Sequence, residues 1–108
     1  MTREDLQNIS FEIIANSGEA RGLVHEAFAA MRKKEFDISE EKIEEANNAL
    51  NRAHSAQTGL IQQYAQGEDI AMGVLLVHAQ DHLMNTMTLR EVAIELLHLN
   101  KTLCNKGG

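Results

Sequence analysis

Three long stretches of the chain place apolar residues at helical spacing. In residues 2–34, apolar side chains recur every three or four positions, and Ser17 fills the one polar gap. Such spacing puts the side chains on one face of an α-helix. The stripe consists of Leu6, Ile9, Ile13, Ser17, Ala20, Val24, Ala27 and Met31. Thr2 followed by Asp5 predicts a capping box at the helix start, with Asp replacing the usual Glu or Gln.

Two glycines interrupt this first helix. Gly18 and Gly22 lie well inside it, and each costs roughly 1 kcal/mol of helix stability relative to Ala. Their presence predicts that a neighbouring helix approaches closely at that level.

Two further helices follow the same pattern. The second is predicted over residues 40–66, with Ser39 as its N-cap and Gly67 ending it. Its stripe has one polar member, Gln57. The third is predicted over residues 71–104. Its stripe is Leu75, His78, His82, Asn85, Leu89, Val92, Leu96, Leu99 and Leu103. A second apolar set flanks that stripe and consists of Leu76, Leu83, Met87, Ile94 and Leu97.

Composition and connection lengths predict how these helices are arranged. The chain has 108 residues, no proline and 44% hydrophobic residues, which favours long uninterrupted helices. Short connections make successive helices antiparallel neighbours. The sequence therefore predicts an all-α, antiparallel three-helix bundle forming one domain over residues 1–108. Because a slim bundle cannot bury this much apolar surface, we also expect it to oligomerise.

Charge and cysteine content exclude several classes of function. The net charge of −6 argues against nucleic acid and anionic membranes as partners, since both need clustered Lys and Arg. A single cysteine, Cys104, forms no intrachain disulfide. No apolar stretch approaches the roughly 18 residues needed to span a bilayer, and no apolar signal core follows Met1. We expect a cytosolic protein that does not insert into membranes.

A polar cluster interrupts the stripe of the third helix. His78, Asp81 and His82 lie within one turn on one side, and Asn85 continues that face. Four hypotheses account for it: a structural polar layer with Gln57, a metal site of the form His-x-x-Asp-His, a histidine that accepts a phosphoryl group, and acid–base catalysis by a His–Asp pair. The last is weak, because no nucleophilic Ser or Cys and no phosphate-binding glycine loop accompanies it.

Residues 77–84, which read VHAQDHLM, resemble the active-site signature of the lactose/cellobiose family of enzyme IIA proteins in the sugar phosphotransferase system. Residues 14–21, IANSGEAR, and residues 53–58, AHSAQT, are similar to the first-helix and second-helix motifs of that family. The resemblance covers essentially the whole chain in order.

The resemblance implies a phosphocarrier. Family members are three-helix bundles that assemble as homotrimers, giving nine helices. The first signature histidine, here His78, receives phosphate from the phosphohistidine of HPr and passes it to a cysteine of the cognate IIB component. The membrane component IIC then couples that phosphate to uptake of a β-linked disaccharide. The signature aspartate, here Asp81, is associated with a divalent cation on the trimer axis, one per trimer.

Supporting roles follow for the remaining polar residues. We expect His82, Gln80 and Gln57 to donate hydrogen bonds to the phosphate, and His54 is either a supporting residue or an interfacial histidine. Because hard oxygen ligands suit Mg²⁺, it is the expected cation. A groove is expected near the His78 turn, since two proteins must dock there.

Details of residues 16–18 and 77–80 favour cellobiose or chitobiose over lactose as the sugar. The alternative function is a metal-binding or structural trimeric helical protein without transfer activity.

Overall fold

The computed structural model describes residues 1–107, with side chains through Asn105. It contains three helices, α1 (Arg3–Arg32), α2 (Phe36–Ala65) and α3 (Val74–Gly107), and no strand among the described residues. All three pairs of helices are in contact, and the bundle measures 58 × 20 × 19 Å. The predicted all-α, antiparallel three-helix bundle is confirmed. Within residues 1–107, none of the helices combines the length and apolarity needed to traverse a bilayer.

The capping box predicted at the start of α1 is present. The Asp5 backbone N–H donates to Thr2 Oγ1 at 3.1 Å, and the Thr2 backbone N–H donates to Asp5 Oδ2 at 2.9 Å. Each bond satisfies a donor that the helix start would otherwise leave free. The bond from the Thr2 backbone holds the pKa of the Asp5 carboxyl below its ordinary value.

Two helices end with the same hydrogen-bond pattern. After α2, Gly67 has a φ of +94°, and its N–H and that of Glu68 donate to the carbonyls of Tyr64 and Gln63. This is a Schellman motif, and it confirms the predicted role of Gly67. After α1, Lys34 occupies the equivalent position with a φ of 60°. A lysine there bears a strain that glycine avoids.

The predicted starts of α2 and α3 are wrong. Helix α2 begins at Phe36, and its N-cap Glu35 makes no side-chain capping bond. Ser39 is not an N-cap. It is buried inside α2, and its Oγ donates to the carbonyl of Ala27 on α1 at 2.8 Å. A serine in this setting gives the same local signal as a cap, but its partner lies on another helix. Helix α3 begins at Val74, three residues later than predicted.

Helix α3 presents a different face to the core from the one predicted. The buried positions form an inner seam, displaced by one residue from the predicted stripe. The inner seam is Leu76, Ala79, Leu83, Thr86, Arg90, Ala93 and Leu97, of which only Arg90 is half-buried. The predicted stripe forms an outer seam, most of whose members are exposed. His78 and Asn85 therefore do not interrupt the core of this chain.

The close approach predicted at Gly18 and Gly22 is absent. A Cβ atom built at either glycine meets no atom of another helix within 4 Å. Both positions are exposed, so the prediction is wrong for the helices of this chain.

Two polar side-chain pairs join α2 and α3 and define the register between these helices. Arg90 on α3 donates to Asn47 Oδ1 on α2 at 2.9 Å. Ten residues later on α2 and ten residues earlier on α3, Gln57 Nε2 donates to Gln80 Oε1. The two bonds belong to the same antiparallel register, which places the middle of α2 beside the middle of α3 and the C-terminal part of α2 beside the first turns of α3.

Replacing Lys34 with Gly should raise the free energy of unfolding by about 1 kcal/mol, because glycine adopts a positive φ without a Cβ clash. Urea unfolding at one fixed protein concentration measures the change. Lys33→Gly is the matched control. Its φ is −93°, so glycine there should leave stability unchanged or lower it. A destabilised Lys34→Gly variant would contradict this description of the α1 end.

Replacing Ser39 with Ala should lower the free energy of unfolding by about 1 kcal/mol, because the bond to Ala27 joins two helices in a buried position. Ser55→Ala is the matched control, since Ser55 is exposed in the same helix. Its effect should stay within about 0.5 kcal/mol. Equal effects of the two changes in urea unfolding would mean that the inter-helix bond contributes nothing.

Candidate functional site

His78 lies on the first turns of α3 with its side chain exposed. His82 follows one helical turn later and is half-buried. The two imidazole rings stand edge to face, with centroids 5.7 Å apart and planes at 89°. Residues four apart on a helix are neighbours, and this spacing brings the predicted pair together. The accessible ring is His78, and His82 supports it from the side of the core.

The orientation of His82 limits which nitrogen it can offer. Its Nδ1 is buried and has no hydrogen-bond partner among the described residues. The nearby Thr86 hydroxyl donates to the His82 backbone carbonyl at 2.8 Å, and so does not serve the ring. The other nitrogen, Nε2, is therefore the one left to bond a group from outside the described residues.

The structure brings Gln57 and Gln80 together as predicted, but not around His78 of the same chain. Gln57 Nε2 donates to Gln80 Oε1 across the contact between α2 and α3. On a helix with 3.6 residues per turn, residues two apart are turned by about 200°. Gln80 therefore lies on the opposite flank of α3 from His78 and His82. The prediction that all four groups surround one phosphate is not met within a single copy.

Asp81 is exposed on the outward side of α3 and forms no ion pair within the described part of the chain. No three metal-ligating side chains come together among residues 1–105. The hypothesis that His78, Asp81 and His82 form a complete metal site on one helix is therefore not supported. One copy offers a single free carboxylate at this position.

His54 is exposed on α2, three residues before Gln57. Those three residues place it about one turn from the Gln57–Gln80 contact. No hydrogen bond or ring contact is formed by His54 in the described residues. It remains a predicted supporting residue on the α2 side.

Arg52 is a residue that the sequence patterns did not identify. Its Nε donates to Asn16 Oδ1 at 3.0 Å, and its terminal nitrogen bonds Glu19 Oε2 at 2.7 Å. Both acceptors belong to the first-helix motif, and Arg52 immediately precedes the second-helix motif. The two motifs are thus joined by a structural link. The only sequence signal for this link was the opposite charge of Arg52 and Glu19. Oppositely charged residues occur throughout the chain, so this signal did not single out the pair.

A groove of about 620 Å³ lies between the start of α1 and the start of α3. Its walls include Leu6, Met72, Val74 and Leu75. The groove reaches Leu76, two residues before His78, and also has polar walls at Gln7, Ser10 and Asp69. It therefore lies beside the His78 turn, and His78 does not line it.

The order of these elements and motifs is shared with known proteins. The family model described as "PTS system, Lactose/Cellobiose specific IIA subunit" matches residues 8–101. The lactose-specific EIIA component of the phosphotransferase system of Staphylococcus epidermidis is 45% identical over 101 residues, which cover 94% of this chain and 97% of that protein.

Solved structures agree. The crystal structure of PtcA from S. mutans has a TM-score of 0.93 and 59% identity, covering 94% of this chain and 99% of that one. The IIA(Chitobiose) chain of the Escherichia coli N,N'-diacetylchitobiose branch, solved in complex with HPr, has a TM-score of 0.76 and 34% identity, covering 91% and 95%. This chain belongs to the lactose/cellobiose-specific IIA family of the sugar phosphotransferase system and is a component of that phosphotransferase.

Proposed function

We propose that this chain is a cytoplasmic phosphocarrier that accepts phosphate on His78 from phosphorylated HPr and passes it to a cysteine of a cognate IIB component. The observation that carries the proposal is the exposed imidazole of His78, standing edge to face against His82. A relative of the same fold was solved in complex with HPr, which supports HPr as the donor.

Histidine suits this reaction because neutral imidazole is a nucleophile near neutral pH. A ring nitrogen of His78 forms a bond to the phosphorus of the donor phosphohistidine. The donor's N–P bond breaks, and its electron pair returns to the donor imidazole. In the second transfer, the IIB thiolate forms an S–P bond as the N–P bond to His78 breaks. No oxidant or reductant is required, and a hydroxyl in place of His78 would instead trap the phosphate as a stable ester.

His82 is the proposed neighbouring donor. Its ring lies 5.7 Å from that of His78, and because its Nδ1 is buried, Nε2 is the nitrogen proposed to meet the His78 phosphate. A hydrogen bond to a phosphate oxygen is strengthened by the charge of the acceptor. His54 is a second, more distant candidate, since no hydrogen bond or ring contact links it to His78 among the described residues.

The proposed assembly is a homotrimer with nine helices. Helix α3 carries two complete seams, and the outer one leaves large apolar side chains exposed, among them Val92, Leu96, Leu99 and Leu103. Apolar surface of this extent marks an interaction site. Three copies around one axis would bury the outer seams against one another.

In that trimer, the Asp81 carboxylate is a proposed ligand of a divalent cation, Mg²⁺. The carboxylate is exposed and free of ion pairs in the described residues, and carboxylate oxygens are the ligands that Mg²⁺ prefers. Because no three metal-ligating side chains come together among the described residues of one copy, the proposed site takes one carboxylate from each of three copies. Bound there, the cation would offset the mutual repulsion of the carboxylates.

The proposed sugar is a β-linked disaccharide, cellobiose or chitobiose rather than lactose, taken up through a IIC membrane component. The names of the relatives include both lactose and chitobiose. They therefore support a disaccharide more strongly than any one particular sugar. This chain does not need to touch the sugar, because the phosphate reaches it through IIB.

Intact-mass spectrometry after incubation with phosphoenolpyruvate, enzyme I and HPr tests the carrier and its site together. The wild-type chain should gain about 80 Da, one phosphoryl group, and His78→Ala should gain nothing while remaining folded. His25→Ala is the matched control, since His25 is an exposed histidine on a different helix, α1. This variant should be labelled like the wild type.

A gain of mass in His78→Ala would move the site to another histidine. No gain in any folded variant would favour a metal-binding or structural protein without transfer activity.

Chelation tests the proposed role of Asp81 without using activity. A cation at 100 times its Kd stabilises the state that binds it by about 2.7 kcal/mol, so EDTA should lower the melting temperature of the wild type. Asp81→Leu should melt at or above the wild-type temperature and ignore EDTA, because three repelling carboxylates are gone. Asp69→Leu, a change in the loop between α2 and α3, should keep the wild-type response. Dissociation of Asp81→Leu into monomers in sedimentation would contradict this view of the axis.

A further inference from the structure

Two buried polar atoms, one on α1 and one on α3, have no hydrogen-bond partner among the described residues. They are Ser17 Oγ and His82 Nδ1. Ser17 is completely buried, and His82 is half-buried with its Nδ1 shielded from solvent. A buried polar atom without a partner costs free energy, so each of these atoms needs a group to bond.

The register between α1 and α3 is the same at both ends of the bundle. Both helices run antiparallel to α2 and therefore parallel to each other. Ser10 and Leu75 line the groove between the two helix starts. Met31 and Leu96, each 21 positions later on its own helix, line a second cleft between α1 and α3 near the other end. The two helices thus advance together, and residues between these levels pair with the same offset.

Ser17 and His82 share one level of this repeat. They lie seven residues after Ser10 and Leu75, respectively. Seven residues complete nearly two turns and rise about 10.5 Å, so each helix returns to almost the same face. Because both helices advance equally, Ser17 lies on the α3 side of α1 at the height at which His82 lies on the α1 side of α3. The two unpartnered atoms therefore belong to one contact between these helices.

The hydroxyl proton of Ser17 is free to be donated across this contact. A serine or threonine inside a helix can donate to the carbonyl four residues earlier, as Ser10 and Thr86 do here. Ser17 forms no such bond with its own helix. Ser39, another buried serine, donates to a carbonyl of a different helix. Ser17 is therefore placed to serve a group on α3.

Thr86 is a third polar group at this contact, and it determines the direction of hydrogen bonding. It is buried one turn after His82, and its own proton is donated to the His82 carbonyl, so its Oγ1 can only accept a further bond. Ser17 and His82 form no direct hydrogen bond in this structure, and a buried water commonly links such groups through about three bonds. A water that accepts from Ser17 has two protons to donate, one to Thr86 Oγ1 and one to His82 Nδ1.

We propose that Ser17 is a positioning residue for phosphoryl transfer, acting on His82 Nδ1 through one bridging water. A ring nitrogen that accepts a hydrogen bond carries no proton, so the proton of the neutral His82 ring lies on Nε2. Nε2 is the nitrogen assigned above to the His78 phosphate, and it donates to a phosphate oxygen only in this tautomer. This inference rests on the proposed function and deepens it by naming the residue that sets the tautomer and orientation of His82.

Ser17→Ala should slow transfer from phosphorylated HPr about fivefold, the effect of one hydrogen bond between neutral groups. The rate is measured by intact mass in a quenched time course at equal concentrations of folded protein. Ser10→Ala is the matched control, because Ser10 is also buried and lies on the same face of α1, while its hydroxyl donates to a carbonyl of its own helix. This variant should be labelled at the wild-type rate.

NMR spectroscopy of the histidine ring nitrogens distinguishes positioning from a loss of packing. Two-bond ¹H–¹⁵N spectra of the unphosphorylated protein, at a pH at which the ring is neutral, show which nitrogen carries the proton. Wild-type His82 should be a single tautomer with its proton on Nε2. Ser17→Ala should populate both neutral tautomers, because Nδ1 has lost the bond that keeps it unprotonated. Ser10→Ala should keep the wild-type spectrum.

The wild-type spectrum is a test that requires no variant to fold, since a proton on Nδ1 of His82 would overturn the proposal. Either an unchanged tautomer or an unchanged transfer rate in Ser17→Ala would overturn it as well. Equal slowing in Ser17→Ala and Ser10→Ala would assign the effect to packing and contradict the positioning role. A wild-type protein that takes no phosphoryl group would instead overturn the proposed function itself, and the tautomer of His82 would still show whether Ser17 acts on the ring.

Discussion

Two apolar seams on one helix are the constraint on which this molecule depends. The inner seam of α3 packs Leu76, Ala79 and Leu83 against α1 and α2 and closes the core. The outer seam, displaced by a single residue, carries His78 and His82. Because both belong to the same rigid helix, the packing that folds the chain also fixes the direction of the reactive imidazole. A loop would hold the ring less firmly.

The features that the sequence predicted correctly are local. The Thr2–Asp5 box and the Gly67 end depend on residues within one turn, and each leaves a recognisable spacing. The features it missed depend on contacts between helices. Ser39 reads as an N-cap until its bond to Ala27 is seen. On α3, two stripes with identical spacing differ by one residue, and periodicity alone cannot say which one faces the core.

The site was predictable to a similar extent. The signature at residues 77–84 identified the family, and the spacing of His78 and His82 predicted that their rings are neighbours. The separation of Gln80 from His78 also follows from helix geometry. The contact of Gln80 with Gln57 could not be predicted in this way. It depends on the register between α2 and α3, which the Arg90–Asn47 bond also reflects. Treating the polar residues as one cluster overlooked that Gln80 and His78 lie on two different flanks of α3.

A carrier is distinguished from a mere acceptor by what happens to the phosphate next. The most direct measurement takes the purified, phosphorylated chain, mixes it with the cognate IIB component carrying a free thiol, and follows both by mass spectrometry. The predicted result is that the chain loses about 80 Da while IIB gains the same mass on its cysteine. A phosphoryl group that stays on this chain, or is lost only to water, would contradict the assignment of His78 as a transfer residue.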